Sequence, residues 1–444
     1  MITKKWQPYP TYKDSGVEWL GEIPEHWEVK RLKYVCCINP SKSPISNLSL
    51  DTEISFVPME YVDNYGNIDL RETKTLKEVS QGYTYFQNKD VIIAKITPCF
   101  ENGKGALCSN LHNTIGFGST EFHVIRVISN KTIPEFTYYL TKSTRFTNLG
   151  SSELYGVAGQ KRVPESFLSN YVTGIPPLPE QQKIAEFLDE ETSKIDKLIT
   201  KKERLIELLK EKRTALISHA VTKGLNPDVP MKDSGVEWLG EIPEHWKVLL
   251  LKRIANIRYG LGQPPPEILY GTPLIRATNV KSGRIFQKDM IYIDPKQVPE
   301  SRNAVLAAGE IIVVRSGAYT GDSALIPEEY HGSIAGYDMV TTVKEGSNQF
   351  IAWQLLSSEV RYIQFAFHQL RAAQPHLNAE ELRGTIITFP PLPEQQKIAQ
   401  FLDRETSKID NLITKTRTSI DHLKEYRTAL ISAAVTGKID VREH

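Results

Sequence analysis

Apolar residues recur at near-heptad spacing in two separated stretches of the chain, and this pattern predicts its two longest elements. Ile195, Leu198, Ile199, Ile206, Leu209 and Leu216 form one stripe; Ile409, Leu412, Ile413, Ile420, Leu423 and Leu430 repeat it 214 positions later, within a segment in which Pro176 to Lys201 returns almost unchanged as Pro390 to Lys415. Such spacing predicts amphipathic helices that pair through their stripes. Lys202 and Thr416 interrupt both stripes. Pro179 and Glu180 suit a first helical turn, and Gly224 and Gly437 stand where helix-ending glycines belong. Ser193 to Asp196 resembles a capping box, which predicts a break or bend and a fresh, longer helix from about Ser193. The part before it, Pro179 to Asp189, has little heptad character and reads as a hinge and partner-facing segment. Two copies of one stripe bury each other most economically, and a pseudo-twofold relation makes that pairing antiparallel.

Elsewhere the pattern is short and strand-like. Val91 to Ile96, Phe122 to Val127 and Glu310 to Arg315 are apolar or β-branched runs of strand length, and helical pieces are expected near Phe136 to Thr147 and Phe350 to Phe367. A second repeat frames these regions: Lys13 to Trp27, KDSGVEWLGEIPEHW, is identical to Lys232 to Trp246. It predicts a loop with a short helical turn, whose Trp19, Leu20, Ile23 and Trp27 fasten each half to its helix by packing. Gln160 and Gln374, in AGQKRV and AAQPHL, fall at the helical offset of 214, so the common scaffold begins before the helix. The middles, 28–175 and 247–389, share almost no sequence. The expected fold class is α+β: two α/β domains (1–178, with lead-in 13–27, and 224–392, with lead-in 232–246) and two long antiparallel coiled-coil helices (179–223 and 393–444), as a tandem repeat.

Charge and chemistry narrow the function. Lys and Arg number 54 against 53 Asp and Glu, so any nucleic-acid surface is local rather than a property of net charge. No apolar run approaches the roughly 18 residues of a membrane span, and the start lacks a signal-peptide core, which gives a cytoplasmic expectation. Cys36, Cys37, Cys99 and Cys108 show no CxxC spacing and read as ordinary buried thiols. The chain has no phosphate loop, HExxH, GxSxG or methyltransferase Asp/Asn-Pro-Pro-aromatic loop. It reads as a binding module with no catalytic residues and no metal. A self-sufficient nuclease or methyltransferase, and a protein adaptor with two docking helices, are the rival classes.

Two unlike domains, each between a DSGVEWLGEIPEHW lead-in and a PPLPEQQKIA helix, closely resemble the specificity subunit of type I restriction-modification systems. The resemblance covers essentially the whole chain. It implies two target-recognition domains, each reading one half of a split double-stranded DNA sequence, and helices that act as a spacer and dock two modification (methyltransferase) subunits. Restriction (ATP-dependent translocase and nuclease) subunits complete the assembly, and S-adenosylmethionine, ATP and Mg are expected on the partners, with no cofactor on this chain. Ile195 to Ala220, at 1.5 Å per residue, is roughly 39 Å long, or about ten to eleven base pairs of B-DNA.

Base reading needs donors on rigid loops. On that reading the expected DNA contacts of the first domain are Lys95, Thr97, Asn102 and Lys104. Those of the second are Arg276, Thr278, Asn279, Arg315, Ser316 and Tyr319, with Gln160, Lys161, Arg162, Gln374 and His376 near the axis.

Overall fold

In a computed structural model that describes residues 6–156, 160–366 and 376–443, the stripes lie on two uninterrupted helices, Leu178–Lys223 and Leu392–Val435. The fresh helix expected from Ser193 does not start there: the helix runs on without a break. A capping serine must leave helical geometry, whereas here Leu188, Thr192 and Ile195 form one continuous buried face, and the Thr192 hydroxyl bonds the Leu188 carbonyl inside the helix at 2.6 Å.

Burial corrects the seam. Ile195, Ile199, Ile206, Ile409, Ile413, Ile420 and Leu430 are buried, and Leu209, Leu216 and Leu423 are partly so. Leu198 and Leu412, expected in the seam, are 43% and 45% exposed. They stand one position off the alternating four-and-three spacing that runs 195, 199, 202, 206, 209, 213 and 409, 413, 416, 420, 423, 427. Lys202, Thr416, Arg213 and Arg427 therefore do not interrupt the stripe; they occupy seam positions with polar side chains.

The chain divides into two units, Met1–Lys202 with Thr418–His444, and Glu203–Arg417, so each unit holds the start of one long helix and the end of the other. In the second unit Arg213 pairs with Asp410 at 3.1 Å. There the Glu207 carboxyl is held low by Lys210 and, across the seam, by Arg417. The partner number falls as the residue number rises, so the helices run antiparallel. In the first unit Arg427 pairs with Asp196 at 2.9 Å. Both ion pairs join the same two positions of the repeat.

Each unit builds its domain on sheets of matching order. In the first, Cys36–Ile38, Phe122–Val127, Val91–Ala94 and Gly105–Leu107 lie side by side; in the second, Ala255–Tyr259, Met339–Val343, Ile311–Val313 and Ser323–Leu325 do. A second four-stranded sheet in each contains one parallel pair, Glu53–Val57 with Ile115–Gly118 and Thr272–Ile275 with Ile334–Ala335. Val91 to Ala94 and Ile311 to Val314 are all buried, which is why unlike sequences rich in β-branched residues converge on one position.

The lead-ins are two-stranded hairpins, Tyr12–Asp14 with Glu22–Pro24 and Met231–Asp233 with Glu241–Pro243, rather than a loop with a helical turn alone. Gly21 and Gly240, at φ near +60°, let the chain turn into the returning strand. Each hairpin presents a fully buried Trp27 or Trp246 to the long helices of its unit. Glu180, 7% exposed in the first turn, accepts from Trp27 Nε1 at 2.9 Å and Tyr9 Oη at 2.7 Å and lies 2.6 Å from His26 Nε2. Glu394 meets His245 at 2.8 Å.

Inward contacts also account for the near-identity of Pro179 to Asp189 and its copy. Gln181 and Gln395, both fully buried, accept from the backbone at the starts of the domain helices, at Ile133 and Ser347, and donate to Pro176 and Pro390. Asp189 accepts from Tyr139 Oη and Asp403 from Trp353 Nε1, again at matching repeat positions. Of this motif's polar side chains, Gln182, Lys183, Glu186 and Asp189, with Gln396, Lys397 and Gln400, remain exposed. Among the described residues no helix is long and apolar enough to cross a membrane.

Candidate nucleic-acid interface

In the first unit the buried strand Val91–Ala94 delivers Lys95 to the sheet edge, where the segment leading into the first long helix meets it. Val163 N donates to the Lys95 carbonyl at 2.8 Å, Thr97 N to the Lys161 carbonyl at 2.9 Å, and Lys161 N to Thr97 Oγ1 at 3.1 Å. Lys95, Thr97, Gln160, Lys161 and Arg162, separated by some sixty positions of sequence, thus share one edge. Gln160 and Lys161 are exposed, and among the described residues the Lys95 ammonium donates no hydrogen bond.

The other candidates differ in availability. The Arg162 guanidinium makes a forked contact to Glu121, Nη2 at 2.7 Å and Nε at 2.9 Å, which holds the Glu121 carboxyl below the usual range. Lys104 Nζ donates to the Met59 carbonyl at 3.0 Å and so ties its loop to the neighbouring sheet. Asn102 is exposed at the loop tip. His123 is buried beneath the edge, 2.9 Å from the Val163 carbonyl, and burial lowers its pKa, favouring the neutral ring.

The second unit repeats the arrangement. Leu377 N donates to the Arg315 carbonyl at 2.8 Å, and Leu377 stands at the repeat position of Val163. Ser316 pairs with His376 as Ile96 pairs with Arg162. Arg315 and Lys95 therefore occupy equivalent places although the sequences around them do not align. The Arg315 guanidinium lies between the rings of Tyr259 and Tyr337, 4.6 and 4.2 Å from their centroids, with Nη2 3.2 Å from His376 Nε2. A planar cation held between two aromatic faces is oriented at little entropic cost.

Arg276 and its loop approach this patch from the neighbouring sheet. Its Nη2 donates to the Asp289 carbonyl at 2.6 Å, and Thr278 is exposed. Asn279 is fully buried and corrects the expectation of an amide facing DNA: it accepts from Arg276 N and donates to the Phe286 and Lys288 carbonyls. A residue of turn-forming type has closed its own loop. Tyr319 is 41% exposed, with Lys281 Nζ 5.9 Å from its ring centroid. Gln374 lies outside the described residues.

Sequence reasoning missed Tyr259, Tyr337, Asp338 and Glu121. They are brought in by strand pairing between distant segments, which leaves no local signal. Asp338, 2% exposed, accepts from Arg315 N at 3.2 Å, and burial pushes its carboxyl up to about 6, with Arg315 acting in the opposite sense. Because the folded-state pKa is raised, the folded chain holds an extra proton between the ordinary Asp value of 3.8 and about 6, and stability falls as pH rises through that window. Asp338→Asn is expected to be neutral near pH 3.5 and to stabilise by about 1–3 kcal/mol at pH 8. Urea unfolding at both values checks this; equal curves for the two proteins at pH 8 would refute it.

Three comparisons bear on this architecture. The family model described as the type I restriction modification DNA specificity domain matches twice, over residues 24–208 and 243–422. The type I restriction enzyme EcoAI specificity subunit of Escherichia coli is 28% identical, covering 92% of this chain and 81% of its own. The putative type I restriction enzyme MjaX specificity subunit of Methanocaldococcus jannaschii is 25% identical, over 95% and 96%. Among solved structures, a chain from work on complex assembly and conformational transition of the type I R-M system superposes with a TM-score of 0.74 at 17% identity, over 94% of this chain and 99% of that one. The HsdS subunit from Thermoanaerobacter tengcongensis gives 0.52 at 18%, over 94% and 98%. These two likenesses carry the fold, and the family model carries the kinship. With both matched segments beginning in a repeated lead-in and running into a long helix, this chain belongs to the type I restriction modification DNA specificity domain family, in two tandem copies.

Proposed function

We propose that this DNA-binding specificity subunit reads a bipartite double-stranded sequence, one half-site per unit, and directs partner subunits that methylate adenine or cleave. The observation that carries the reading is the recurring backbone bond, Val163 to Lys95 and Leu377 to Arg315, which sets a basic side chain at the same edge of each domain. Lys161, Lys95 and Asn102 in the first unit, and Arg315, Arg276, Thr278 and Tyr319 in the second, are the groups we assign to the DNA surface. Two methyltransferase subunits would dock on the long helices, with Gln182, Lys183 and their copies available to them. S-adenosylmethionine, ATP and Mg would reside on the partners, which would supply all catalysis, in the cytoplasm.

A long-read methylation map of host DNA with and without the gene tests this. Loss of one bipartite adenine motif on deletion is the expected result, and an unchanged map while the partners are expressed overturns it. Exchanging residues 28–175 for those of a relative is expected to replace one half-site and leave the other intact. A change in both half-sites would contradict reading by separate domains.

A further inference from the structure

We propose that Arg213 and Arg427 are positioning residues for target recognition, each clamping a hairpin of its own unit's domain onto the helix pair and so fixing where that domain meets its half-site. The proposal rests on the DNA-reading function above for its consequence, but not for its geometry.

Both arginines occupy seam positions that a coiled coil reserves for apolar residues, with side chains only 12% and 10% exposed. Replacing a buried ion pair by apolar side chains of similar volume is often neutral or stabilising, whereas polar seam residues are well attested as register devices. The pairs with Asp410 and Asp196 would serve that purpose alone. Each arginine, however, also leaves the seam for the domain. Arg213 Nη2 donates to the Ser282 carbonyl at 3.0 Å, at the tip of the hairpin Val280–Lys281 with Arg284–Ile285. Arg427 lies over the Tyr65 ring, 5.6 Å from its centroid, in the turn closed by the pairing of Val62 with Ile68.

These two turns hold the same station. Each follows the strand whose end leads toward the DNA edge, Thr272–Ile275 before Arg276 and Glu53–Val57 before Met59. Their sequences, VDNYGNI and VKSGRI, are unlike, and the contacts differ in kind, a cation over a ring in one and a hydrogen bond in the other. The recurrence therefore belongs to the helix pair rather than to one hairpin sequence.

Further contacts make each turn a rigid transmitter. In the first unit Tyr138 Oη donates to the Tyr65 carbonyl at 2.9 Å, and Asp63 Oδ1 accepts from the Tyr65, Gly66 and Asn67 amides. Lys142 Nζ bridges the Asn64 carbonyl to those of Gly103 and Gly105 on the recognition loop. In the second, Arg284 joins Asp410 at 3.0 Å, and Ser282 N donates to Asp322 Oδ1, while Arg361 faces Asp322 Oδ2 at 3.4 Å.

The test uses the full chain carrying Arg213→Met or Arg427→Met, studied alone by hydrogen exchange and with its methyltransferase partners by methylation mapping. Methionine fills a seam position without charge, so amide protection along the long helices is expected to persist. Amides of 280–285 in the first variant and 62–68 in the second are expected to exchange roughly tenfold faster. In complex, each variant is expected to keep both half-site sequences but to methylate targets whose spacer is one base pair longer or shorter, which wild type rejects. A residue needed only for folding would lower all methylation without relaxing spacing. Tyr65→Leu leaves the seam intact and is expected to reproduce the Arg427→Met phenotype, so the clamp stays testable should Arg427→Met fold poorly. Unchanged hairpin exchange together with strict spacing in these variants overturns the proposal. If wild type shows no bipartite target, the DNA reading falls while hairpin exchange still decides the clamp.

Discussion

Glu180→Ala is expected to destabilise the first unit by about 3–4 kcal/mol, while the same substitution at the repeat position, Glu394→Ala, costs about 1 kcal/mol. The difference lies in what each carboxylate holds. Glu180 is 7% exposed and accepts from Tyr9 Oη and Trp27 Nε1, two donors that alanine would strand in the interior. Burial and the Glu180 bond push the Tyr9 hydroxyl above its usual pKa, so it stays protonated and its need for an acceptor persists. Among the described residues Glu394 meets only His245, at 2.8 Å, and Trp246 Nε1 has no partner; Glu394 is 28% exposed. Asp228 stands where a second tyrosine would be needed to copy Tyr9. Chemical denaturation of both variants, with hydrogen exchange to assign the loss to a unit, measures the contrast; equal losses would show that the carboxylate hydrogen bonds are not what separates the two copies.

Lys142→Met carries the second large effect. The ammonium, 9% exposed, donates to the Gly103 and Gly105 carbonyls at 2.7 Å each and to the Asn64 carbonyl at 3.3 Å. Methionine has similar reach but donates nothing. Stranding these carbonyls, less the relief of removing a buried charge, is expected to cost roughly 2–4 kcal/mol and to release the loop that carries Lys95, Asn102 and Lys104. First half-site methylation would fall with it.

The pH dependence gives this prediction a sign. Burial pushes the Lys142 pKa down to about 7 from an ordinary 10.5, with Arg427 adding to the shift and Asp63 opposing it. Between those values the unfolded chain holds a proton that the folded chain has released, so wild-type stability rises with pH through the window. Lys142→Met lacks that rise. Its deficit relative to wild type is therefore expected to be smallest below pH 7 and to grow toward pH 10. A deficit that shrank over that range would contradict a buried amine titrating in this place.

Much of the molecule is legible in its sequence. The fifteen-residue identity from Lys13 to Trp27, the offset of 214 and the apolar stripes define a tandem repeat with two long helices, because both signals are local and periodic. Lys95 and Arg315 could be singled out because each ends a run of strand-like residues. Less was legible where partners are remote. Asn279 and Arg162 have the chemistry of base readers, yet one is consumed by its own loop and the other is gripped by Glu121. Leu198 and Leu412 are apolar in both copies, yet 43% and 45% exposed, because a seam is set by phase over many turns rather than by hydrophobicity at one position.

The sequence by itself determined the repeat, the class of fold and the antiparallel pairing of the two long helices, since periodicity and symmetry are properties of the order of residues. Tertiary structure alone decided which polar side chains remain available to a ligand and which hold the protein together. The cause is physical: burial makes an unpaired charge or donor expensive, and its partner is chosen by strand and helix packing between distant segments, as with Arg213 and Asp410, 197 positions apart, or Glu180 and Tyr9, 171 apart.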